Sequence, residues 1–369
     1  MNRHRAALRM GALATIIAAT MTACGGSGGA GGGPAEGEGL VIDGETIADA
    51  ALVDAAMAEG TVVVYTSVTE QRARAVLDAF QEDSGLAYEL VRLAGGALSQ
   101  RVLSEQAAGQ LGADVVQQSD YSLAIAEKDA GVFAPYCPPD KDKLPQQSID
   151  AECTFWPAQD GVHVIIYNTE LVSTADSPKS WDDVLDPRWT GKFNMPYIGT
   201  GGSTWARDLM LRKDKGVEYW RELAAQNPVL TASSSTTLES VVRGESPVGN
   251  AVTGAALEAI NQGAPIAMNF PTDGAAAYST WTGLAAEAAH PNAAKVLLNW
   301  MASKAGQTAT VEEGGDYSVR DDVAPPEANG EALPTRAEAK LVYPETFPEY
   351  VTERKTYQAE WLEIFDYQA

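Results

Sequence analysis

The sequence predicts an α/β protein of two lobes with a ligand cleft between them, and three observations support this fold class. From Thr61 onward, β-branched runs alternate with apolar residues at helical spacing in the order βαβαβα, which is typical of an open α/β sheet. A second series begins at Gly161, and two later strand-like segments, Pro265–Phe270 and Trp281–Ala286, return to the first. Two connections then join the lobes and leave a cleft. The predicted lobes are residues 60–160 with 265–369, and residues 161–264.

The first lobe is predicted to contain three strand-helix units. Its opening strand, Thr61–Thr66, is a continuous β-branched run, as expected for a strand buried on both faces. Apolar residues then recur at helical spacing as far as Gly85, and Ser67 with Glu70 predicts a capping box at the start of this helix. The other predicted elements of this lobe are strands at 86–93 and 113–117, and helices at 98–108 and after Tyr121.

The second lobe follows the same alternation. The segments that predict it are a strand at 161–168, the stretches 181–185 and 192–196, a long amphipathic segment at 204–225, the stretch 229–232, and helices at 236–243 and 255–262 around a strand at 248–252. Two further helices are predicted after the chain returns, at 292–313 and 353–365.

The first 40 residues predict an export signal and a tether. Arg3, Arg5 and Arg9 precede an apolar stretch that is too short to span a bilayer, and residues 1–23 are read as a signal peptide. Small residues directly before Cys24 resemble a bacterial lipobox, which implies a lipid on Cys24 and a mature chain held at the outer face of the cytoplasmic membrane. Residues 24–40 are rich in glycine and predict a flexible tether. The alternative is an ordinary secretory signal in which Cys24 is incidental.

Composition and motif content exclude several classes of function. The 369-residue chain has a net charge of −24 and no basic run, so a nucleic-acid partner is not expected. The mature chain contains only two histidines, His163 and His290, neither in a zinc or catalytic motif, so we expect no metal site, no cofactor and no enzyme. Cys137 and Cys153 remain as an even pair in an exported chain, which predicts a structural disulfide.

Eight short motifs in a fixed order resemble the extracellular solute-binding proteins of ABC importers, in the ferric-iron-binding-like branch. They are 64–67 (VYTS), 80–85 (FQEDSG), 113–116 (ADVV), 162–168, 181–184 with 187–192, 244–245, 291–295 with 303–307, and 317–320 (YSVR). The resemblance covers roughly Gly60 to Val323. It implies a two-lobed periplasmic-binding-protein fold, type II-like, that closes on a small solute and delivers it to a membrane permease. We expect such a receptor to be a monomer.

The same resemblance argues against iron as the ligand. Family members that hold Fe(III) do so with a histidine, a carboxylate and consecutive tyrosines, and the matching positions here are Thr69, Ser119 with Asp120, and Thr253-Gly254-Ala255. Fe(III) is a hard ion that needs anionic oxygen donors, which hydroxyls do not replace. Tyr197 lies near the place of an additional tyrosine ligand in some relatives, but a single tyrosine is more often a wall of the cleft.

Hydroxyls and glycines at predicted helix starts point instead to a small anionic or zwitterionic organic ligand, such as a phosphonate or a sugar phosphate. Free backbone N–H groups and the helix dipole favour an anion there, and Ser and Thr side chains add donors without charge. The residues proposed to bind it, including those named above, are Thr66, Ser67, Thr69, Ser119, Asp120, Tyr197, Thr200, Gly201, Gly202, Ser203, Ser234, Ser235, Thr236 and Thr253.

Four alternatives stay open at this point. The hydroxyl groups could be ordinary helix caps, since Ser67 and Thr236 each have a glutamate three residues on. The ligand could be ferric iron, as in the family's commonest assignment. It could be an organic cation, with Glu70, Asp120 and Asp273 as the working charges. An exported hydrolase on a similar scaffold is the weakest alternative, because no nucleophile has an evident base.

Overall fold

The computed structural model describes residues 33–35, 37–145, 149 and 152–368, which belong to one compact unit. The predicted signal peptide, Cys24 and most of the predicted tether lie outside the described residues. No helix in the described part of the chain is both long enough and apolar enough to cross a membrane.

Strands and helices both occur along the whole described part of the chain. The strands are β1 (Leu40–Ile42), β2 (Glu45–Ala48), β3 (Thr61–Thr66), β4 (Ala87–Arg92), β5 (Val115–Gln118), β6 (Phe133–Ala134), β7 (Trp156–Asn168), β8 (Phe193–Pro196), β9 (Val229–Thr231), β10 (Val248–Val252), β11 (Ile266–Asn269), β12 (Ala275–Ala285), β13 (Glu327–Ala328), β14 (Glu331–Ala332) and β15 (Leu341–Val342). The helices are α1 (Ala50–Glu59), α2 (Glu70–Ser84), α3 (Gly95–Ala107), α4 (Tyr121–Asp129), α5 (Gly202–Ala225), α6 (Ser234–Val242), α7 (Thr253–Asn261), α8 (Pro291–Ala302), α9 (Lys304–Glu312), α10 (Glu349–Thr352) and α11 (Arg354–Ile364).

The main sheet has the strand order β4-β3-β5-β12-β7-β10-β8-β9. One end is the parallel set β4-β3-β5 and the other is the parallel set β10-β8-β9, and helices connect the strands within each set, as in α/β units. The long strands β7 and β12 run antiparallel between the two sets and join them.

The register of β7 brings the two parallel sets to one place. Residues 156–162 of β7 pair with β12, while residues 163–167 pair with β10. Strand β5 ends opposite Trp281 of β12 and points toward the middle of β7, and β10 ends opposite His163. The carboxyl ends of the parallel strands from both sides therefore converge on the middle of β7. Ligands of open α/β sheets bind at such carboxyl ends.

The predicted α/β fold class is confirmed, and most predicted elements lie within a few residues of the observed ones. Three details were wrong. The segment predicted at 265–270 to return to the first lobe forms β11, which pairs with β7 at residues 165–168. The predicted helix 292–313 is two helices, because the Ser303 backbone is extended and its hydroxyl caps α9. The stretch 181–185 contains only a short 3-10 turn, Asp183–Leu185.

The C-terminal residues pack on helix α5. Trp361 is fully buried in the same core as Trp205 and Trp220, and Trp205 Nε1 donates to the carbonyl oxygen of Tyr350 at 2.9 Å. Helix α5 lies in the predicted second lobe, whereas the sequence placed 265–369 in the first. The lobe boundaries stay a prediction, but α10 and α11 do not pack as that division expects.

The predicted disulfide is present between Cys137 and Cys153, with Cα atoms 5.3 Å apart. It closes the loop that carries the chain from β6 to β7. Since β7 is the strand on which the two halves of the sheet meet, the cross-link holds the approach to that strand.

Candidate functional site

The site begins where β3 and β5 end. The Ser67 hydroxyl donates to the Ser119 hydroxyl at 3.0 Å, and the Ser119 backbone N–H donates to Ser67 Oγ at 2.9 Å. Both strands are parallel neighbours, so their carboxyl ends bring these two serines together. The sequence predicted Ser67 as the cap of helix α2, but the cap position is Thr69, and Ser67 is engaged with Ser119 instead. The capping-box prediction was therefore wrong.

The start of helix α5 lies directly against this pair. A Cβ atom placed on Gly202 would lie 2.6 Å from Asp120 Cα and 2.7 Å from the Ser119 carbonyl oxygen. Only a glycine permits this approach of the two backbones, and Gly202 is buried by it. The predicted site residues of the two halves of the chain, Ser119 with Asp120 and Gly202, thus meet in space.

A second contact between the halves lies at the start of helix α7. The Arg72 guanidinium comes so close to Gly254 that a Cβ there would lie 2.4 Å from Arg72 Nη2. Arg72 is buried in an ion pair with Asp316, and its Nε donates to the Gly314 carbonyl oxygen at 2.6 Å. Desolvation acts to lower the pKa of Arg72, but the Asp316 charge and the hydrogen bond to Asp316 outweigh it and raise this pKa above its ordinary value.

Strand β7 provides the floor between these two contacts. Thr253 Oγ1 accepts a hydrogen bond from the Val162 N–H at 3.2 Å. His163 is fully buried, and its Nδ1 lies 2.9 Å from Asn250 Oδ1, which also accepts from Arg207. Burial and the nearby Arg207 charge lower the pKa of His163 to about 3, so the ring is neutral. Because Asn250 Oδ1 can only accept, Nδ1 carries the proton and Nε2 is an acceptor.

We call the set of Ser67, Thr69, Ser119, Gly202 and Thr253 the cleft ring. Three helices whose first turns contribute to it, α2, α5 and α7, begin without a side-chain cap. The first N–H groups of a helix have no intrahelical partner and carry the positive end of the helix dipole. Thr69 Oγ1 is also buried without a hydrogen-bond partner in the described structure. The ring therefore presents several unused donors, which suit an anion.

Helix α3 adds a further uncapped start that the sequence did not suggest. It begins at Gly95 after β4, the outer neighbour of β3, and Gln118 Nε2 donates to the Gly95 carbonyl oxygen at 3.2 Å. This contact places the α3 start beside the end of β5, next to Ser119. The sequence feature that marks the start of α3 is the pair Gly95-Gly96, but two glycines alone do not predict a binding site.

The three carboxylates considered as partners of a cationic ligand are already paired. Asp120 caps α4, accepting from the Ser122 N–H, and both of its oxygens bind Arg354 Nη1, at 2.8 and 2.6 Å. Asp273 accepts from the Trp181 N–H and pairs with Lys215. Glu70 pairs with Arg74 on the exposed face of α2. The three carboxylates that a cationic ligand would need thus have other partners.

The described residues contain no group of three or more His, Cys, Asp or Glu side chains that could hold a metal ion. Tyr197, the one tyrosine considered as an iron ligand, packs its ring against Tyr367 with the centroids 4.8 Å apart. It forms part of the wall between α5 and the C-terminal residues.

Four other residues predicted to bind the ligand are not part of the cleft ring. Thr66 is buried and its hydroxyl accepts from the Val68 N–H, while Thr200 and Thr204 share a hydrogen bond of 2.7 Å. Gly201 precedes α5 with extended backbone, and Ser203 is half-buried in its first turn.

The hydroxyl cluster at 234–236 does not join the ring through any contact in the described residues. Ser233 caps helix α6 by accepting from the Thr236 N–H, so Thr236 is not the cap. Ser235 and Thr236 are exposed and Ser234 is half-buried. This cluster lies next to Thr231, whose carbonyl oxygen accepts from the Tyr197 N–H at 3.2 Å. Of the three predicted clusters, the first two meet and the third lies beside Tyr197.

Sequence reasoning missed Arg72, His163, Gly254 and Arg354 as residues of this region. Arg72 follows the ring by one helical turn and had no motif of its own. Gly254 was visible only as the residue where relatives carry a tyrosine. Arg354 lies 234 residues from its partner Asp120, and no local pattern predicts such a pair.

The chain belongs to the family of bacterial extracellular solute-binding proteins, which matches residues 75–337. A Salmonella typhimurium relative, provisionally named a 2-aminoethylphosphonate-binding periplasmic protein, is 27% identical over 260 residues, covering 67% of this chain and 74% of that one. The Fe(3+)-binding periplasmic protein of Serratia marcescens is 23% identical over 261 residues, covering 68% and 76%.

Solved structures show the same fold. The periplasmic binding protein AfuA of Actinobacillus pleuropneumoniae, with fructose-6-phosphate bound, superimposes with a TM-score of 0.70 at 19% identity, covering 84% of this chain and 99% of that one. The substrate-binding protein of an ABC transporter from Agrobacterium tumefaciens gives 0.72 at 21% identity, covering 83% and 94%. The protein is therefore a solute-binding protein of an ABC importer, with the predicted two-lobed periplasmic-binding-protein fold.

Family members are binding proteins that receive a small ligand and deliver it to the permease, and the relatives named here are periplasmic. This agrees with an exported chain, as the basic and apolar N-terminal residues predict.

Proposed function

We propose that the protein captures a small organic anion, such as a phosphonate or a sugar phosphate, at the cleft ring and passes it to an ABC permease. The observation that carries this proposal is the contact of the uncapped start of helix α5, at Gly202, with Ser119, whose hydrogen-bond partner Ser67 lies just before the uncapped start of α2. An oxyanion placed there would accept from backbone N–H groups and from serine and threonine hydroxyls without needing a metal.

The charge balance of the ring supports an anion over a cation. Asp120 and Asp316 are both buried and both compensated by arginine. Burial without a partner costs a charged group far more than a neutral one, and here the carboxylates have partners whereas the helix N–H groups do not. The Salmonella and Actinobacillus proteins are named for a phosphonate and crystallised with a sugar phosphate respectively, which is the same ligand chemistry.

Ferric iron is the second candidate, since the Serratia relative is named for it. The ring offers hydroxyls where Fe(III) needs anionic oxygen donors, and Tyr197 is packed on Tyr367. The residues present therefore favour the organic anion.

Membrane attachment through Cys24 is a further part of the proposal. A short apolar segment and small residues before a cysteine are typical of lipid-modified exported proteins, and the glycine-rich residues that follow would keep the domain within reach of the permease. We propose a monomer, because one chain supplies both sides of the ring.

A thermal-shift screen of the domain tests the ligand class. Phosphonates, sugar phosphates, amino acids, polyamines and ferric citrate are each added, and the unfolding temperature is recorded. A ligand that binds only the folded state raises this temperature. At a concentration of 100 times its Kd, it adds about 2.7 kcal/mol to the free energy of unfolding. We expect phosphonates or sugar phosphates to do so. Stabilisation by polyamines or ferric citrate alone would contradict the proposal.

A further inference from the structure

We propose that Arg354 sets the charge selectivity of the cleft, by compensating Asp120 at the point where an anion would bind. This rests on the proposed function and assigns a role to the C-terminal residues that follow the family-matched segment 75–337. Arg354 is the first residue of helix α11, and its Nη1 lies within 2.8 Å of both Asp120 oxygens.

Asp120 lies at the contact between two residues of the cleft ring, Ser119 and Gly202. Its side chain is 2% exposed, its Cα lies against Gly202, and it directly follows Ser119. A bare carboxylate at this position would face the first turn of α5 and repel any anion held there. A buried carboxylate also attracts cations, since an uncompensated charge in a poorly hydrated place is strongly unfavourable.

Several contacts hold the C-terminal residues, so the fold fixes the position of the Arg354 charge. The Tyr350 hydroxyl donates to the Gly202 carbonyl oxygen at 3.2 Å, and the Trp205 indole donates to Tyr350. Arg212 pairs with Glu360, and Trp361 is fully buried. These contacts fix α11 beside the start of α5 and direct its first residue toward Asp120.

The remaining donors of Arg354 suit a further oxyanion. A guanidinium has five N–H donors in a planar fork, and the contacts made to Asp120 use only Nη1. The Arg354 side chain is 20% exposed, which leaves part of it accessible. The Asp120 oxygens are already occupied by Ser122 and Arg354, so the pair presents donors and no free acceptor to a ligand. The ligand group that matches it is the oxyanion of a phosphonate or a phosphate.

The test is a double-mutant cycle on the mature chain. Wild type, Arg354→Gln, Asp120→Asn and the double variant are titrated calorimetrically with 2-aminoethylphosphonate, fructose 6-phosphate and ferric citrate. We expect Arg354→Gln to weaken binding of the two anions about 10- to 100-fold, because it exposes the Asp120 charge to them. The double variant should recover part of the fructose 6-phosphate affinity, because the repelling carboxylate is gone although the Arg354 donors are lost as well. 2-Aminoethylphosphonate should behave in the same way, because both ligands present an oxyanion.

Controls separate this role from a purely structural one. Arg354→Lys keeps the charge and should retain anion affinity within about fivefold, even if Arg354→Gln lowers the unfolding temperature. Lys355→Gln removes the neighbouring exposed charge and should change nothing. A double variant that binds fructose 6-phosphate no better than Arg354→Gln would overturn the role of Arg354. Wild type that binds neither anion would instead overturn the proposed function.

Discussion

Gly202→Ala is the change that most directly perturbs the contact between the two halves of the site. The new Cβ would lie 2.6 Å from Asp120 Cα and 2.7 Å from the Ser119 carbonyl oxygen, both rigid backbone atoms. Ordinary van der Waals contact begins near 3.4 Å, so the opposing backbones must separate by about 0.8 Å. Overpacking of this kind costs about 1–3 kcal/mol, and the same free energy lost from binding corresponds to about 5- to 150-fold in affinity.

Gly201→Ala is the matched control, because the adjacent glycine has open space where its Cβ would be built. Its φ of 165° is extended backbone, which alanine adopts without strain. Both variants are titrated calorimetrically with an anion that the wild type binds. We expect Gly202→Ala to lose affinity by the factor given above and Gly201→Ala to bind with near wild-type affinity. The unfolding temperature without ligand should also be lower for Gly202→Ala than for Gly201→Ala, because the contact is part of the described fold. Equal affinities of the two variants would refute the argument that ligand binding needs this backbone contact.

Three further predictions concern other parts of the chain. Replacing Cys137 and Cys153 by serine should lower the free energy of unfolding by about 3 kcal/mol in urea titrations, as expected for a 16-residue separation, and an unchanged midpoint would contradict this. Burial raises the pKa of Glu127 to about 7, so the folded state holds a proton that the unfolded state has released, and stability falls as pH rises from about 4.5 to about 7. Glu127→Gln should remove up to about 3 kcal/mol of that loss of stability between pH 5 and 8. The control Glu82→Gln, at an exposed position, should follow wild type. If Glu127→Gln and wild type show the same dependence of stability on pH, the raised pKa of Glu127 is wrong. Cys24→Ser should move the exported protein from the membrane to the soluble fraction without unfolding it, and persistent membrane association would remove the lipid anchor.

The fold was largely predictable because its signals are local. The β-branched run Thr61–Thr66 and the helical spacing up to Gly85 became β3 and α2. Strand β11 was misplaced because its pairing with β7 is a long-range choice that periodicity does not encode. The first elements, β1, β2 and α1, were missed because they are short or weakly patterned.

The candidate site was only partly predictable. Ser67 and Gly202 were selected as a hydroxyl and a glycine at predicted helix starts, and Ser119 through the resemblance to the family. That Ser67 binds Ser119 instead of capping α2 depends on the distance between two strands, which the sequence does not show. The ion pair of Arg354 with Asp120 depends on where the C-terminal helix packs, and that follows from burial of Trp361 against α5.

The ligand class is tested most directly by calorimetric titration of the wild-type domain with 2-aminoethylphosphonate and fructose 6-phosphate, with ferric citrate in parallel. The account predicts saturable binding of at least one of the two anions, with no coloured complex in ferric citrate, because the ring offers N–H and hydroxyl donors whereas Fe(III) needs anionic oxygen donors. Tight binding of ferric iron in a coloured complex that is lost in Tyr197→Phe, without binding of either anion, would contradict it.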